Sequence, residues 1–398
     1  MVNWYCRWFD CFNIWCVFIE GSSFFINSYD YIGDTMRKNS VEIVLLISVI
    51  LISLFGLVMI YSASYVWAEY KFNNPFKFVI NQGIFFVVGL IFMMIVSHIK
   101  YDIYYEKSNF LLIGCLVLLV LVLIPGVGSV RNGSRSWFGI GSFGIQPSEF
   151  TKLSLIIFVS KYLVNNEKSL GDVKRGVIPI LSVLFLVFGL IMLQPDFGTG
   201  MIIVMSIIGL LFVGGVDFKF FLKIGVVGVI GIVGLIIAAP YRLKRILSFL
   251  NPWEDPLGSG FQIIQSLYAI GPGGLFGYGF LNSRQKHFYL PEPQTDFIFS
   301  IISEEFGFIG ILIVSILFLI IIYSGFKIAR HSNDLFGKYL AFGITFQIAF
   351  QAILNLMVVV GLIPVTGVTL PFLSYGGSSL LITLCSIGIL LNISRYQK

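Results

Sequence analysis

The chain has 398 residues, of which 57% are hydrophobic, 16% aromatic and only 12% charged. So little polar surface cannot cover so large an apolar volume in water, which excludes a soluble domain. The formal net charge of +6 needs no nucleic acid partner, because the Lys and Arg residues are spread over short loops, where they mark membrane orientation.

In chain order, residues 1–35 come first and are atypical. They hold Cys6, Cys11 and Cys16 among many Trp, Tyr and Phe, but lack the basic start, apolar core and small-residue cleavage site of a signal peptide. Met36-Arg37-Lys38, followed at once by an apolar run, is a more ordinary beginning for a membrane protein. The stretch therefore reads as an extension outside the native protein, with an interfacial aromatic anchor as the alternative. Residues 36–398 read as one polytopic membrane domain.

Apolar runs follow at 41–63, 77–97, 109–125, 148–165, 177–193, 198–215, 219–239, 297–325, 338–361 and 372–393. Coiled as helices, such runs match the hydrocarbon core of a bilayer, where only closed backbone hydrogen bonding survives. No short alternating strands of the kind a barrel needs are present. The expected fold is an all-α integral membrane bundle of about ten transmembrane helices. An even number puts both termini on one side, and Lys and Arg come to about 15 on that side against 9 on the other. Both termini are thus expected in the cytoplasm, with 240–296, between the seventh and eighth spans, as a large extracytoplasmic loop. Cys115 and Cys385 lie inside spans and the long loop has no cysteine, so neither a disulfide framework nor a CxxC metal site is expected.

Polar residues that a bilayer penalises, at span ends or within spans, carry the functional information. The first group runs from Asn132-Gly133-Ser134-Arg135-Ser136-Trp137 to Gln146-Pro147-Ser148-Glu149 and Lys152. Ser148 reads as the N-cap of the fourth span. Glu149 then falls in the first turn, where the helix dipole favours negative charge, and Lys152 is within reach at i, i+3. Two readings stay open: a capped helix with an internal ion pair, or Arg135 and Lys152 offering positive charge to an anionic group. In the second group, Gln194-Pro195-Asp196-Phe197-Gly198-Thr199, Asp196 reads first as a helix cap and second as a chemical group.

The third group is the loop 240–296. It opens on Arg242-Leu243-Lys244-Arg245, continues through Asn251-Pro252-Trp253-Glu254-Asp255-Pro256, Gln262, Gln265 and Ser266, and ends in Gly271, Gly273, Gly274, Gly277 and Gly279. No Gly-Lys-Ser/Thr closes the glycine cluster, so it is not a Walker loop. Residues 261–270 have helical apolar spacing and are expected to lie flat on the membrane surface. Loops of this length are usually functional.

The fourth group is Leu290-Pro291-Glu292-Pro293-Gln294-Thr295-Asp296-Phe297, followed inside the eighth span by Ser303-Glu304-Glu305. Carboxylates converging at one membrane boundary are costly unless something uses them. Asp296 either caps the helix or does chemistry; Glu305, deeper, either faces the bundle interior for function or bonds a neighbouring helix. Gln347, Gln351 and Asn355 recur on one face of the ninth span, a stripe that reads first as glue between helices and second as substrate contact.

Six motifs then resemble one family. They are Asn-Gly-Ser-Arg-Ser-Trp with Gln-Pro-Ser-Glu (132–149), Gln-Pro-Asp-Phe-Gly-Thr (194–199), Phe-Leu-Asn-Pro-Trp with Asp-Pro (249–256), Gln-Lys-His-Phe-Tyr-Leu-Pro-Glu (285–292), Thr-Asp-Phe-Ile-Phe (295–299) and Ser-Tyr-Gly-Gly-Ser-Ser (374–379). Together they are similar to the SEDS proteins of shape, elongation, division and sporulation, with FtsW, RodA and SpoVE as types. The resemblance runs from about residue 40 to the end, and 283–310 is more similar to the FtsW and SpoVE branches than to RodA. It implies a peptidoglycan glycosyltransferase of the bacterial cytoplasmic membrane that polymerises lipid II at the outer face, for division or spore cortex synthesis. It also implies a class B penicillin-binding protein transpeptidase as partner, with other components of the cell-wall machinery. By the same resemblance Asp296 is the catalytic carboxylate, with Glu292 the matching glutamate of Leu-Pro-Glu. Two departures are visible. Pro272 interrupts the glycine cluster, and Thr366 stands where some FtsW members have lysine, which weakens a cationic diphosphate contact there.

The implied chemistry suits the residues. Lipid II carries its sugar on an α-linked diphosphate and the glycan is β-linked. A single inverting displacement therefore needs a base for the acceptor hydroxyl and cationic or metal help for the leaving diphosphate. Asp296 is the expected base, and Arg135, Lys152, Arg242 and Arg245 are the expected phosphate-side cations. Gln265, Ser266, Asp196, Lys286 and Ser378 complete the candidate substrate-binding set. A divalent cation, Mg2+ or Mn2+, held by Asp296 or Glu292 with the diphosphate, suits hard oxygen ligands. The rival readings are a lipid II flippase, which inverted repeats with broken helices would favour although no internal repeat is found, and a non-catalytic scaffold for a transpeptidase.

Overall fold

The computed structural model describes residues 30–131, 133–139, 144–237, 249–258 and 260–396. The chain divides into a short unit, Met1–Ile43, and a large one, Val44–Lys398. The N-terminal stretch 1–29 and the basic run Arg242-Leu243-Lys244-Arg245 lie outside the described residues.

Each expected span is a helix. In order they are α1 (Asp30–Phe72), α2 (Lys77–His98), α3 (Asp102–Leu123), α4 (Pro147–Asn165), α5 (Ile178–Met192), α6 (Phe197–Val213) and α7 (Phe218–Ile237). A short α8 (Phe261–Ile270) precedes α9 (Ile298–Arg330), α10 (Leu335–Val359) and α11 (Gly377–Arg395). By length and composition alone, seven of the described helices can cross a membrane. The first span continues past its expected end at 63 to Phe72. Its last turns are held by Trp67 packing edge-on to Phe72 and by Lys71 lying 4.4 Å over the Trp67 ring.

One non-helical element was not expected: an antiparallel hairpin of β1 (Ser129–Arg131) and β2 (Ser134–Trp137), with Arg131 opposite Ser134. Gly133 takes the positive φ (+80°) that so tight a turn demands. The hairpin leans on the end of α3 and the start of α4.

In a bundle within lipid the sorting of faces is by packing rather than polarity. On α2, Ile80, Ile84, Val87 and Ile91 form an exposed apolar face, whereas Gln82, Phe86, Gly89, Met93 and Ser97 turn inward. That inner face lies along α11 in an extensive helix pairing. A side chain at Gly388 would collide with the Met93 carbonyl, so the two backbones meet directly. At the centre is α10, which packs against α4, α6, α8, α9 and α11. It buries the polar side chains Gln347, Gln351 and Asn355.

Candidate active site

The turn that carries Asp296 is fixed by three separate parts of the chain. Thr295 closes it locally, donating from its amide (3.1 Å) and its hydroxyl (2.8 Å) to the carbonyl of Glu292. From α10, the Asn355 side-chain amide donates to the carbonyl of Asp296 and to that of Val368, both at 2.7 Å. From the segment before α11, the Tyr375 amide donates to the Gln294 carbonyl at 2.8 Å. That segment is itself bound to α2, because Gln82 donates to the Ser374 carbonyl (3.2 Å) and accepts from the Gly376 amide (3.1 Å). Glu292 and Asp296 are both half-buried. Glu292 has φ +44°, a left-handed backbone that non-glycine residues adopt mainly where surrounding structure compels it. The capping position of α9 falls on Phe297, without a side-chain cap, so the reading of Asp296 as an N-cap does not hold.

A second polar group forms at the start of α4. The Lys152 ammonium lies 2.8 Å from Glu149, both side chains nearly out of solvent, and donates to the Gln351 side chain at 3.0 Å. Asp196 does cap α6, accepting from the Thr199 amide at 3.1 Å, and its other oxygen accepts from Gln146 at 2.9 Å. Burial pushes the Asp196 carboxyl above the usual carboxylate range, and the negative charge of Glu149 adds to the rise. Ser148 does not cap α4. Pro147 takes the first helical position, for which its fixed φ and missing N–H suit it, so the capping position moves back to Gln146.

The two groups are joined on α10. Gln351 donates to the carbonyl of Thr369 at 3.0 Å while Asn355, one turn on, holds Val368 and Asp296. The polar stripe of α10 thus binds helix to loop and couples Lys152 to the segment that braces Asp296.

The glycine cluster has a different purpose. The helical path of α9 is interrupted at Gly307 (φ +60°, ψ −152°), and the chain at 274–279 runs alongside the break. Tyr278 and Gly279 donate to the carbonyls of Glu304 and Glu305, and Phe308 and Ile309 donate to Gly274 and Leu275, at 2.9 to 3.2 Å. A Cβ at Gly277 would sit 2.3 Å from the Glu305 carbonyl oxygen. Glycine is therefore required for a crossing of two backbones, which satisfies the groups that a broken membrane helix exposes.

The family model described as cell cycle protein, covering FtsW, RodA and SpoVE, matches residues 42–398. The chain belongs to the FtsW/RodA/SpoVE family. It is 54% identical to stage V sporulation protein E of Bacillus subtilis over 364 residues, 92% of this chain and 100% of that protein. To the probable peptidoglycan glycosyltransferase FtsW of Trichlorobacter lovleyi it is 44% identical, over 91% of this chain and 95% of that one. Among solved structures it is similar to a chain of a peptidoglycan synthase complex (TM-score 0.73, 30% identity, 89% of this chain and 98% of that one). The rod shape determining protein RodA of Thermus thermophilus is similar at TM-score 0.65 and 28% identity, over 89% of this chain and 97% of that one.

In this FtsW/RodA/SpoVE member the other candidate site residues fall in distinct places. Arg135, on β2, is half-buried and donates to the Leu123 carbonyl at 3.4 Å. Gln265 is half-buried on α8. Ser266 is buried and spent on packing, bonding the Ser300 hydroxyl (2.8 Å) and the Val359 carbonyl (2.7 Å). This draws the buried face of α8 onto α9 and α10. Ser378, at the start of α11, is buried. Lys286 is a correction: its ammonium is wholly buried on Glu305 at 2.8 Å, so its charge is not presented to a substrate. Glu304 and Glu305 likewise do not join Asp296 in a carboxylate cluster, since both are turned to the loop, Glu304 by backbone amides and Glu305 by Lys286. Sequence reasoning passed over Gln82 and Ser62; for Gln82 the signal was present, an Asn81-Gln82 pair inside an apolar run.

Proposed function

We propose that this chain is a peptidoglycan glycosyltransferase that polymerises lipid II at the outer face of the bacterial cytoplasmic membrane, with both termini in the cytoplasm. The observation that carries the reading is the braced, half-buried Asp296 at the mouth of α9, tied through Asn355 and Gln351 to the cation of Lys152. The names of the relatives point the same way.

In this reading the Asp296 carboxylate accepts the proton of the acceptor hydroxyl as its oxygen attacks the anomeric carbon of the donor. The bond from that carbon to the diphosphate breaks, the electron pair leaves with the diphosphate, and one displacement turns the α linkage into β. Glu292, held in the same turn, is the neighbouring carboxylate. Of Arg135 and Lys152, Arg135 serves the diphosphate side better, because Lys152 is already paired with Glu149. Arg242 and Arg245 belong to the same role. A bound Mg2+ or Mn2+ would neutralise charge on the leaving diphosphate. Glu292 and Asp296 are the hard oxygen donors on this chain that suit it, and no group of three acidic, His or Cys side chains able to hold a metal forms among the described residues, so phosphate oxygens would complete the shell. Gln265, Ser378 and Asp196 remain the candidate contacts for the rest of the substrate.

The partner in this reading is a class B penicillin-binding protein transpeptidase, supported by the similarity to a chain of a peptidoglycan synthase complex. Transport is the second reading, favoured by the broken helix α9. Against it, the backbone groups at the break are met by residues 274–279. Purified protein in liposomes containing lipid II separates the two: glycan polymer with the transpeptidase blocked supports the enzyme, and lipid II crossing the bilayer without polymer overturns it.

A further inference from the structure

Lys286 heads the large side chains that are fully buried, an expensive place for an ammonium. Its Nζ lies 2.8 Å from Glu305 Oε1 and 3.3 Å from the Ser62 hydroxyl on α1, and that hydroxyl lies 2.6 and 2.8 Å from the two Glu305 oxygens. Beside it, Glu304 accepts from the Ser283 hydroxyl (2.5 Å) and from the amides of Arg284 (2.8 Å) and Gln285 (3.3 Å). The segment 283–286 is thereby fastened to α9 by charge-assisted hydrogen bonds. Buried pairs of this kind are often no more stabilising than packed hydrocarbon, so stability alone gives no reason for one here.

The reason lies in where the chain goes next. Leaving Lys286, it passes Glu292 and re-enters the same helix just after Asp296, so the loop 286–296 is closed at both ends on α9. Within it Phe288 (φ +67°) and Glu292 (φ +44°) are left-handed. Such residues are strained and persist only when their surroundings over-determine them. The ion pair closes the N-terminal end of the loop in which both lie.

We propose that Lys286, with Glu305 and Ser62, is a latch that positions the turn bearing Glu292 and Asp296, making Lys286 a positioning residue. The role rests on the reading of Asp296 as the base. Hydrogen exchange of the full-length protein in nanodiscs, which needs no activity, tests the latch on its own. In the double variant Lys286→Met/Glu305→Leu the pair becomes apolar volume, so thermal stability should stay near wild type. Amides of 285–295 should exchange about tenfold faster or more, and polymerisation should fall about a hundredfold in kcat with little change in KM. Lys286→Arg should recover part of both. If the double variant fails to fold, Ser62→Ala replaces it, with a smaller rise in exchange over the same peptide. Unchanged exchange at 285–295 overturns the latch, as does faster exchange with wild-type polymerisation. Wild-type protein that makes no glycan overturns the enzymatic reading instead, and leaves the exchange result standing.

Discussion

The side-chain amide nitrogen of Asn355 lies 2.7 Å from the carbonyl oxygen of Asp296 and 2.7 Å from that of Val368. One fully buried donor group on the central helix therefore sets the distance between the turn that bears Asp296 and the segment that precedes the last helix. Asn355→Leu keeps the volume and removes both bonds, leaving two carbonyls without that partner. The expected cost is about 1–3 kcal/mol, together with a loss of glycan synthesis larger than the loss of folded protein. Thermal unfolding and a polymerisation assay on the same preparation check this; a stable, fully active Asn355→Leu protein would count against the bracing role.

Asp296→Asn is expected to abolish polymerisation while expression and thermal stability stay near wild type. The bond from Asn355 goes to the backbone carbonyl of Asp296 and survives the change, and Phe297, not Asp296, occupies the cap of α9. What is lost is the proton acceptor, typically about a hundred- to ten-thousand-fold in rate. A variant within a few-fold of wild type in a purified lipid II assay moves the base elsewhere, to Glu292 first.

Lys152 and Arg135 are expected to fail differently. Lys152→Met strands Glu149, which lies 2.8 Å away with almost no solvent access, and breaking such a pair costs about 3–5 kcal/mol. Its signature is lost folded protein. Arg135→Ala removes a half-buried side chain with one long bond to Leu123, so stability should change by less than about 1 kcal/mol. Its signature is a raised KM for lipid II. Matched losses of stability and activity in Arg135→Ala would assign it a structural role.

Asp196 is expected to make stability depend on pH. Its carboxyl titrates above the ordinary value of 3.8 in the folded protein because it is buried, so the native state holds the proton more tightly than the unfolded chain. That contribution is fully present below the unfolded value and is lost as pH rises through the folded one. Asp196→Asn keeps a side chain able to cap α6 and removes the titration. The gap in melting temperature between wild type and variant is expected to move in favour of wild type as pH is lowered from neutral towards about 4. A gap constant across that range would remove Asp196 from the account.

Much of the fold is legible in the sequence because the bilayer penalty acts residue by residue, so run length alone places α1 to α7 and α9 to α11. The hairpin at Ser129–Trp137 escapes a reading by hydropathy, although Asn132-Gly133 is a strong turn signal. Caps are less legible: Ser148 looks like a better cap than Gln146, and the preference of Pro147 for the first helical position decides otherwise. For the site, Asp296 and Asn355 stand out as polar residues among apolar ones, yet nothing local pairs them. Lys286 reads as a loop cation available to a phosphate. Its burial depends on Ser62, 224 residues earlier in the chain, and on the break at Gly307 that lets the loop lie against α9. Long-range closure of that kind leaves no periodicity to read.

The bonds from Tyr375 to Gln294 and between Gln82 and the Ser374–Gly376 segment bear on how the protein is made. Residues 374–376 follow the loop in the chain, so during synthesis the loop bearing Asp296 emerges before this support. Until α11 is threaded against α2, that loop lacks one of its three anchors. A chain that stops short of that point has the early helices and lacks the bond from Tyr375 to Gln294.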